Sequence, residues 1–360
     1  MTPAFLRLLA TSALCALLSG CAQTGPPLPP SLELPKPPSD LRAVRKGNRV
    51  TLSWSVPTRT TDRQTVRSLG PTRICRSLDA EVKECGAPVG ELPSPSAQPS
   101  GSTQTQSQMF TDTLPGLIQQ GNPSGDVTYA VEVLNRDSRS AGFSNRVTIP
   151  AMPTLPPPAD FRAELTAGGV AFNWTATADT TAPAGVQYHY RIYRRDENTG
   201  KDTIVGESAV TERASTHPPD AAFEWEKTYL YRITSLSTRS VNGGDVQVEG
   251  DDSPSVRIIA RDVFPPAVPS GVQAVYSGEG QKLFVDLIWG PVTDADLAGY
   301  NIYRREDGGS PAKLNADLVK SPAYRDPAVA SGKVYLYSVA AVDVRGNESA
   351  HSDEASESVP

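Results

Sequence analysis

Two cysteines ten positions apart, Cys75 and Cys85 in the stretch GPTRICRSLDAEVKECG, are the residues of this 360-residue chain best suited to chemistry. Such a pair suits a thiolate nucleophile, half of a zinc site, or a structural bridge. A nucleophile needs its pKa lowered by a neighbouring base or helix terminus. A zinc site needs two further ligands. The three histidines stand apart, at positions 189, 217 and 351. His189 lies between Tyr188 and Tyr190 on an alternating run and is expected to face solvent. His217 precedes Pro218-Pro219, a loop signal, and His351 lies in the last loop. None has a second ligand at close spacing, and no G-x-S-x-G elbow, P-loop or H-E-x-x-H pair is present. The acidic groups Glu249-Gly-Asp251-Asp252 and Asp294/Asp296 offer oxygens for weak calcium binding, but neither has the ligand count and registered glycine of an EF-hand loop. The expectation is therefore a chain without a catalytic set, a resident cofactor or a dedicated metal site.

The compartment follows from the first residues. Met1 to Arg7 is a short, mildly positive start, Leu8 to Leu18 is apolar, and Leu18-Ser19-Gly20-Cys21 follows. That layout is a secretory signal peptide, too short to span a bilayer as a stable helix. Small residues leading directly into a cysteine resemble the lipobox of bacterial lipoproteins. The resemblance implies cleavage before Cys21, a diacylglyceryl group on its sulfur and a further acyl chain on its amine. Two or more chains make membrane attachment effectively stable. Ala22, rather than an aspartate, after the acylated position implies delivery to the outer membrane in two-membraned bacteria. The stretch GPPLPPSLELPKPP, Gly25 to Pro38, is too proline-rich for helix or central strand and is expected to run as a semi-rigid tether. The formal net charge of −6 argues against a nucleic-acid partner, which would need a basic face.

Beyond the tether, one pattern returns three times. A proline is followed by an apolar residue at +3 and alanine at +5: Pro38/Leu41/Ala43, Pro158/Phe161/Ala163 and Pro269/Val272/Ala274. An alternating strand ending in tryptophan comes next: Val50/Leu52/Trp54, Val170/Phe172/Trp174 and Val285/Leu287/Trp289. Then come Ile74/Arg76, Ile192/Arg194 and Ile302/Arg304, with an aromatic-x-Asp in two repeats, Phe110/Asp112 and Tyr324/Asp326. A tyrosine-led strand follows (Tyr129, Tyr229, Tyr335), and Ser-x-x-Val closes each unit at Ser144/Val147, Ser253/Val256 and Ser356/Val359. Period-two alternation marks strands with one buried face. A repeat of about 115–120 residues is the size of a whole small domain rather than a solenoid unit. Repeat one carries insertions around Thr58 to Pro71 and a polar run, PSPSAQPSGSTQTQSQ. Repeat two carries an insertion from Ser240 to Asp252.

The order Pro-x-x-Val-x-Ala, Val-x-Leu-x-Trp, Tyr300-Asn-Ile-Tyr303-Arg and Tyr335-Leu-Tyr337-Ser-Val-Ala resembles fibronectin type III domains in their bacterial extracellular form. The resemblance implies an all-β chain, a tandem array of three immunoglobulin-like antiparallel β-sandwiches after the signal peptide and tether. The expected parts are a signal peptide over 1–20, lipidated Cys21 and tether over 21–37, and sandwiches over 38–150, 154–261 and 265–360. It further implies tyrosine corners at Tyr129, Tyr229 and Tyr335, with hydroxyls bonding nearby backbone.

Tyr193 and Tyr303, one residue after the inward isoleucines, should face outward, flanked by Arg194 and Arg304. These four form the candidate binding face, since tyrosine and arginine suit polysaccharide or protein contact. Cys75 holds the same register in repeat one, on a strand and pointing away from the core. Cys85 follows a polar turn and precedes a return strand, so the two arms can bring the sulfurs together. With no histidine within a hundred residues and an oxidising compartment, a Cys75–Cys85 disulfide is expected. The functional expectation is a non-enzymatic, lipid-anchored envelope protein whose sandwiches act as spacer and protein- or glycan-binding module. The alternatives are an accessory or degenerate component of carbohydrate-active machinery and a subunit of an envelope complex.

Overall fold

The structure is a computed structural model that describes residues 32–95, 106–176, 181–210, 215–278, 280 and 282–360. The expected signal peptide, Cys21 and the expected tether up to residue 31 lie outside the described residues, as does 96–105 of the polar run. One compact unit ends at Pro153 and a second starts at Thr154.

The first unit holds β1 (Arg42–Lys46), β2 (Arg49–Ser55), β3 (Thr72–Ser77), β4 (Gly90–Leu92), β5 (Ser107–Thr113), a short helix α1 (Gly116–Gly121), β6 (Asp126–Val133) and β7 (Val147–Pro150). A three-stranded sheet runs β1-β2-β5 and a four-stranded sheet β4-β3-β6-β7. The alternation that marked β2 as a strand is what buries it: Val50, Leu52 and Trp54 point into the core while Thr51 and Ser53 do not.

The second unit holds two more sandwiches. One is built from β8 (Ala159–Thr166), β9 (Gly169–Thr175), β10 (Gln187–Asp196), β11 (Asp202–Ala209), β12 (Ser215–Asp220), β13 (Thr228–Val241), β14 (Gly244–Asp252) and β15 (Val256–Ile259). The other is built from β16 (Ser270–Ser277), β17 (Phe284–Gly290), β18 (Leu297–Glu306), β19 (Ala312–Lys313), β20 (Ala323–Asp326), β21 (Lys333–Asp343) and β22 (Ala355–Val359). The small sheets run β12-β9-β8 and β16-β17-β20, and the large ones β11-β10-β13 and β19-β18-β21-β22. All strand pairs are antiparallel. A sheet with strands one, two and five packed on a sheet with four, three, six and seven is the fibronectin type III arrangement. Each sandwich has its own apolar core around Trp54, Trp174 or Trp289.

The insertion in repeat two is a hairpin arm. β13 runs past the sandwich and pairs with both β15 and the added β14. Asn242 and Gly243, with φ of 49° and 82°, make the two-residue turn between them, the conformation that matches strand twist and favours Asn-Gly.

The end of the tether is folded rather than free. Pro35 and Pro38 are buried, and Pro35 pairs with Thr60 across a β-bridge. The Lys36 amide donates to Arg59 O, the Thr61 amide to Leu34 O, and Asn135 Nδ2 to Leu32 O, all at 2.9 Å. The Thr58–Pro71 insertion is what receives this strap. Proline density ruled out a central strand, but an edge strap needs only a few N–H groups, and Leu34 and Lys36 supply the bonds on either side of Pro35.

Candidate functional site

The charged residues that the repeats share converge inside each sandwich. Arg76 Nη1 contacts Asp112 Oδ2 at 2.6 Å, Arg194 contacts Asp220 at 2.7 Å, and Arg304 contacts Asp326 at 2.7 Å. A tyrosine hydroxyl donates to the same carboxylate oxygen each time: Tyr129 at 2.7 Å, Tyr231 at 3.0 Å and Tyr337 at 2.9 Å. Cross-strand register explains the recurrence, because Arg76 stands opposite Tyr129, Arg194 opposite Tyr231 and Arg304 opposite Tyr337. Burial first, then the neighbouring carboxylate, raises the phenol pKa of all three tyrosines far above the ordinary value. Each hydroxyl therefore stays a donor at ordinary pH.

This geometry corrects several expectations. Arg194 and Arg304 are not part of an outer face; their side chains are 14% and 23% exposed and are held by buried aspartates. The aromatic-x-Asp motif hid the third aspartate, because Asp220 follows Pro218-Pro219 instead of an aromatic. The tyrosine corners are Tyr229, whose hydroxyl accepts from the Glu224 amide at 3.0 Å, and Tyr335, which accepts from Ala330 at 3.1 Å. Tyr129 is two residues off that register, and Val127 takes the corner position. There the corner is built differently: buried Gln119 of α1 donates to Asn48 Oδ1 and Leu114 O and accepts from Arg45. Desolvation lowers the Arg45 pKa to about 10. The serine that closes repeat three is likewise Ser352, not Ser356. Its hydroxyl accepts from the Val339 amide as Ser144 does from Val131 and Ser253 from Ile233. Tyr335→Phe should cost about 1 kcal/mol, the value of one net hydrogen bond, read as a lower denaturant midpoint for the third sandwich alone.

The outer position after each inward isoleucine is occupied in all three repeats. Tyr193 donates its hydroxyl to Glu249 on the added β14, and the Arg232 guanidinium lies 4.5 Å from its ring centroid. Tyr303 donates to Glu348 at 2.7 Å and stacks on His351 at 4.1 Å. Burial, reinforced by the glutamate bond, raises both phenols, Tyr303 to about 12. In repeat one the position is Cys75, bonded to Cys85 with Cα atoms 5.3 Å apart. Cys75 points away from the main core but is only 2% exposed, because Val82, Ala130 and Phe143 cover it. Tyr193 and Tyr303 are thus half-buried and engaged rather than open platforms.

Of the histidines, His351 is exposed and shares Nδ1 with Ser338 Oγ at 3.1 Å. His189 is half-buried rather than solvent-facing, and His217 lies on β12 rather than in a loop. Among the described residues, carboxylates converge once in a form that could hold a metal: Asp262, Asp296 and Asp343 place oxygens within 4.8 Å of one another. Asp294 stands elsewhere, accepting from the Ala267 amide at 2.7 Å. Burial opposes ionisation of Asp343, but bonds from Asn347 and the Arg345 and Gly346 amides outweigh it and hold its carboxyl below the ordinary range.

No protein-family model matches the chain. A stretch of 120 residues, 32% of the chain, is 36% identical to an amylopullulanase of Thermoanaerobacterium saccharolyticum and spans 9% of that protein. A longer match, 23% identical over 327 residues, covers 90% of the chain and 25% of exoglucanase B of Cellulomonas fimi. The chain therefore spans a tenth to a quarter of these relatives' length. Among solved structures, an Fn3-like protein from Clostridium thermocellum is 33% identical, with 27% of this chain and 96% of that one covered and a TM-score of 0.23. Strand order, sheet pairing and the thrice-repeated core make the fold of this chain fibronectin type III-like.

Proposed function

We infer that this chain is a non-catalytic, lipid-anchored protein of the cell envelope, held through Cys21 at the outer membrane, whose sandwiches space and present surfaces to a protein or polysaccharide. The observation that carries the non-catalytic reading is the use of the recurrent charged residues. The motif residues most able to do acid–base work, Asp112, Asp220 and Asp326, are each locked between an arginine and a tyrosine inside a core. A buried, fully paired carboxylate of this kind supports packing and is out of reach of substrate. The relatives support a setting in carbohydrate-active machinery, since the similarity falls on minor portions of an amylopullulanase and an exoglucanase. That pattern fits accessory modules and extends to this chain only by analogy of fold.

Two measurements test the reading. Incorporation of labelled palmitate is expected in the wild-type chain and should vanish in Cys21→Ala; label persisting in that variant refutes the anchor. Incubation with envelope and plant polysaccharides should retard the chain in affinity gels without releasing reducing sugar, and sugar release refutes the non-catalytic reading.

A further inference from the structure

The charge of this chain is unevenly placed. From Leu32 to Pro153 there are 14 Lys/Arg and 11 Asp/Glu; from Thr154 onward there are 19 and 29. The excess of cations in the first unit concentrates where the strap enters. The strap bonds the insertion through Lys36 and Arg59 and the 135–139 turn through Leu32 and Asn135. Lys36, Arg59, Arg63, Arg67, Arg136 and Arg139 all belong to these three segments, and all six are exposed. The acids among them are Glu33, Asp62 and Asp137. Glu33 lies 3.8 Å from Arg67, whose side chain stays 80% exposed, and Leu32, Glu33, Arg136, Asp137 and Arg139 line one concavity. Six cations against three carboxylates leave this end of the first sandwich net positive.

We propose that this end is a membrane-contact surface for anionic lipid headgroups. The inference rests on the lipid-anchored reading above for its geometry. Because the strap is fastened from Leu32, only the ten residues 22–31 separate the acylated position from the sandwich, a reach of at most about 40 Å. The strap also fixes which end of the sandwich the tether enters, and that end carries the arginines. Each basic residue brought to an anionic surface raises partitioning about fivefold, an effect confined to roughly a Debye length of 8–10 Å at physiological salt. The acidic second unit is repelled by the same surface.

The test uses the full chain with Cys21→Ser, so that acyl groups contribute nothing, in sedimentation with phosphatidylcholine vesicles with or without 30% phosphatidylglycerol. Anionic vesicles should bind at least tenfold better than neutral ones, and 0.5 M salt should abolish the difference. Arg59→Glu/Arg63→Glu/Arg136→Glu should lose at least tenfold, while the charge-matched Lys201→Glu/Lys282→Glu/Lys313→Glu should bind as the parent. Equal binding to both vesicle types, or a reversed variant that binds as the parent, overturns the proposal. Tighter binding to a soluble acidic polysaccharide such as dextran sulfate also overturns the lipid assignment. Failure of the anchor is separate, since loss of palmitate labelling at Cys21 with vesicle binding intact removes the anchor and leaves the surface.

Discussion

Asp220→Ala is expected to destabilise the second sandwich by about 3–5 kcal/mol, because removing one partner of a buried ion pair leaves the other charge uncompensated. Arg194 is the charge left behind. Its side chain is 14% exposed and its guanidinium lies 5.2 Å from the Tyr229 ring centroid, so it cannot swing fully into water without giving up that packing. Tyr231 would lose its acceptor at the same time. The contrast is with pairs such as Lys333–Glu306, both half exposed at 49% and 53%, where solvent screening leaves deletion with little effect on stability. Tyr231→Phe, which removes one donor to a charged acceptor but leaves the ion pair, should cost about 1.5–3 kcal/mol. Amide hydrogen exchange of peptides spanning β13 reads the second sandwich separately from the others. A loss below about 1 kcal/mol for Asp220→Ala would mean that water reaches Arg194 and that the set is not what holds the sheets in register.

Sequence reasoning found the fold because strand faces are written in period two, and a tryptophan at the end of each second strand aligned the three copies. It erred where alignment rested on a residue's type instead of its partner. Tyr129 and Tyr229 both open a tyrosine-led strand, but only cross-strand pairing reveals that Tyr129 matches Tyr231. The Arg-Asp-Tyr set was half legible: Ile-x-Arg and aromatic-x-Asp were visible as motifs, but their contact lies across two sheets and has no sequence spacing. Arg194 was placed outward by its neighbour Tyr193, although alternation along β10 sends the two to opposite faces. The strap was hidden for a different reason. Proline composition describes what a segment cannot do by itself and says nothing of an insertion 25 residues later that offers it carbonyls and amides.

The outer clips share one mechanical role with different chemistry. In repeats two and three the middle strand of the large sheet is tied to a following loop or arm by a tyrosine hydroxyl on a glutamate, with a cation or imidazole over the ring. In repeat one the segment between β3 and β4, Leu78 to Val89, has no strand of its own. A hydrogen-bonded tyrosine can restrain a paired strand, but a strandless loop of this length pays more conformational entropy on ordering.

Loss of the disulfide should therefore be costly. Cys75→Ser/Cys85→Ser is expected to lower the stability of the first sandwich by about 2.5–3 kcal/mol, the loop-closure value for a separation of ten residues. Burial of Cys75 among Val82, Ala130 and Phe143 means that serine also places an apolar-lined hydroxyl in that patch. Trypsin should then cut at Lys83, which is 82% exposed and held only by its flanks once the bridge is gone. The sister clip should not substitute: Tyr193 and Tyr303 each bond a glutamate, whereas Cys75 lies in an apolar cluster with Val82 and Ala130 against which Phe143 packs. Cys75→Tyr/Cys85→Ser should accordingly remain at least about 2 kcal/mol below wild type by chemical denaturation, because the loop stays unclosed and the ring would meet a filled apolar patch. Full recovery of stability in that variant would show instead that the position, rather than the covalent closure of the loop, is what the first sandwich requires.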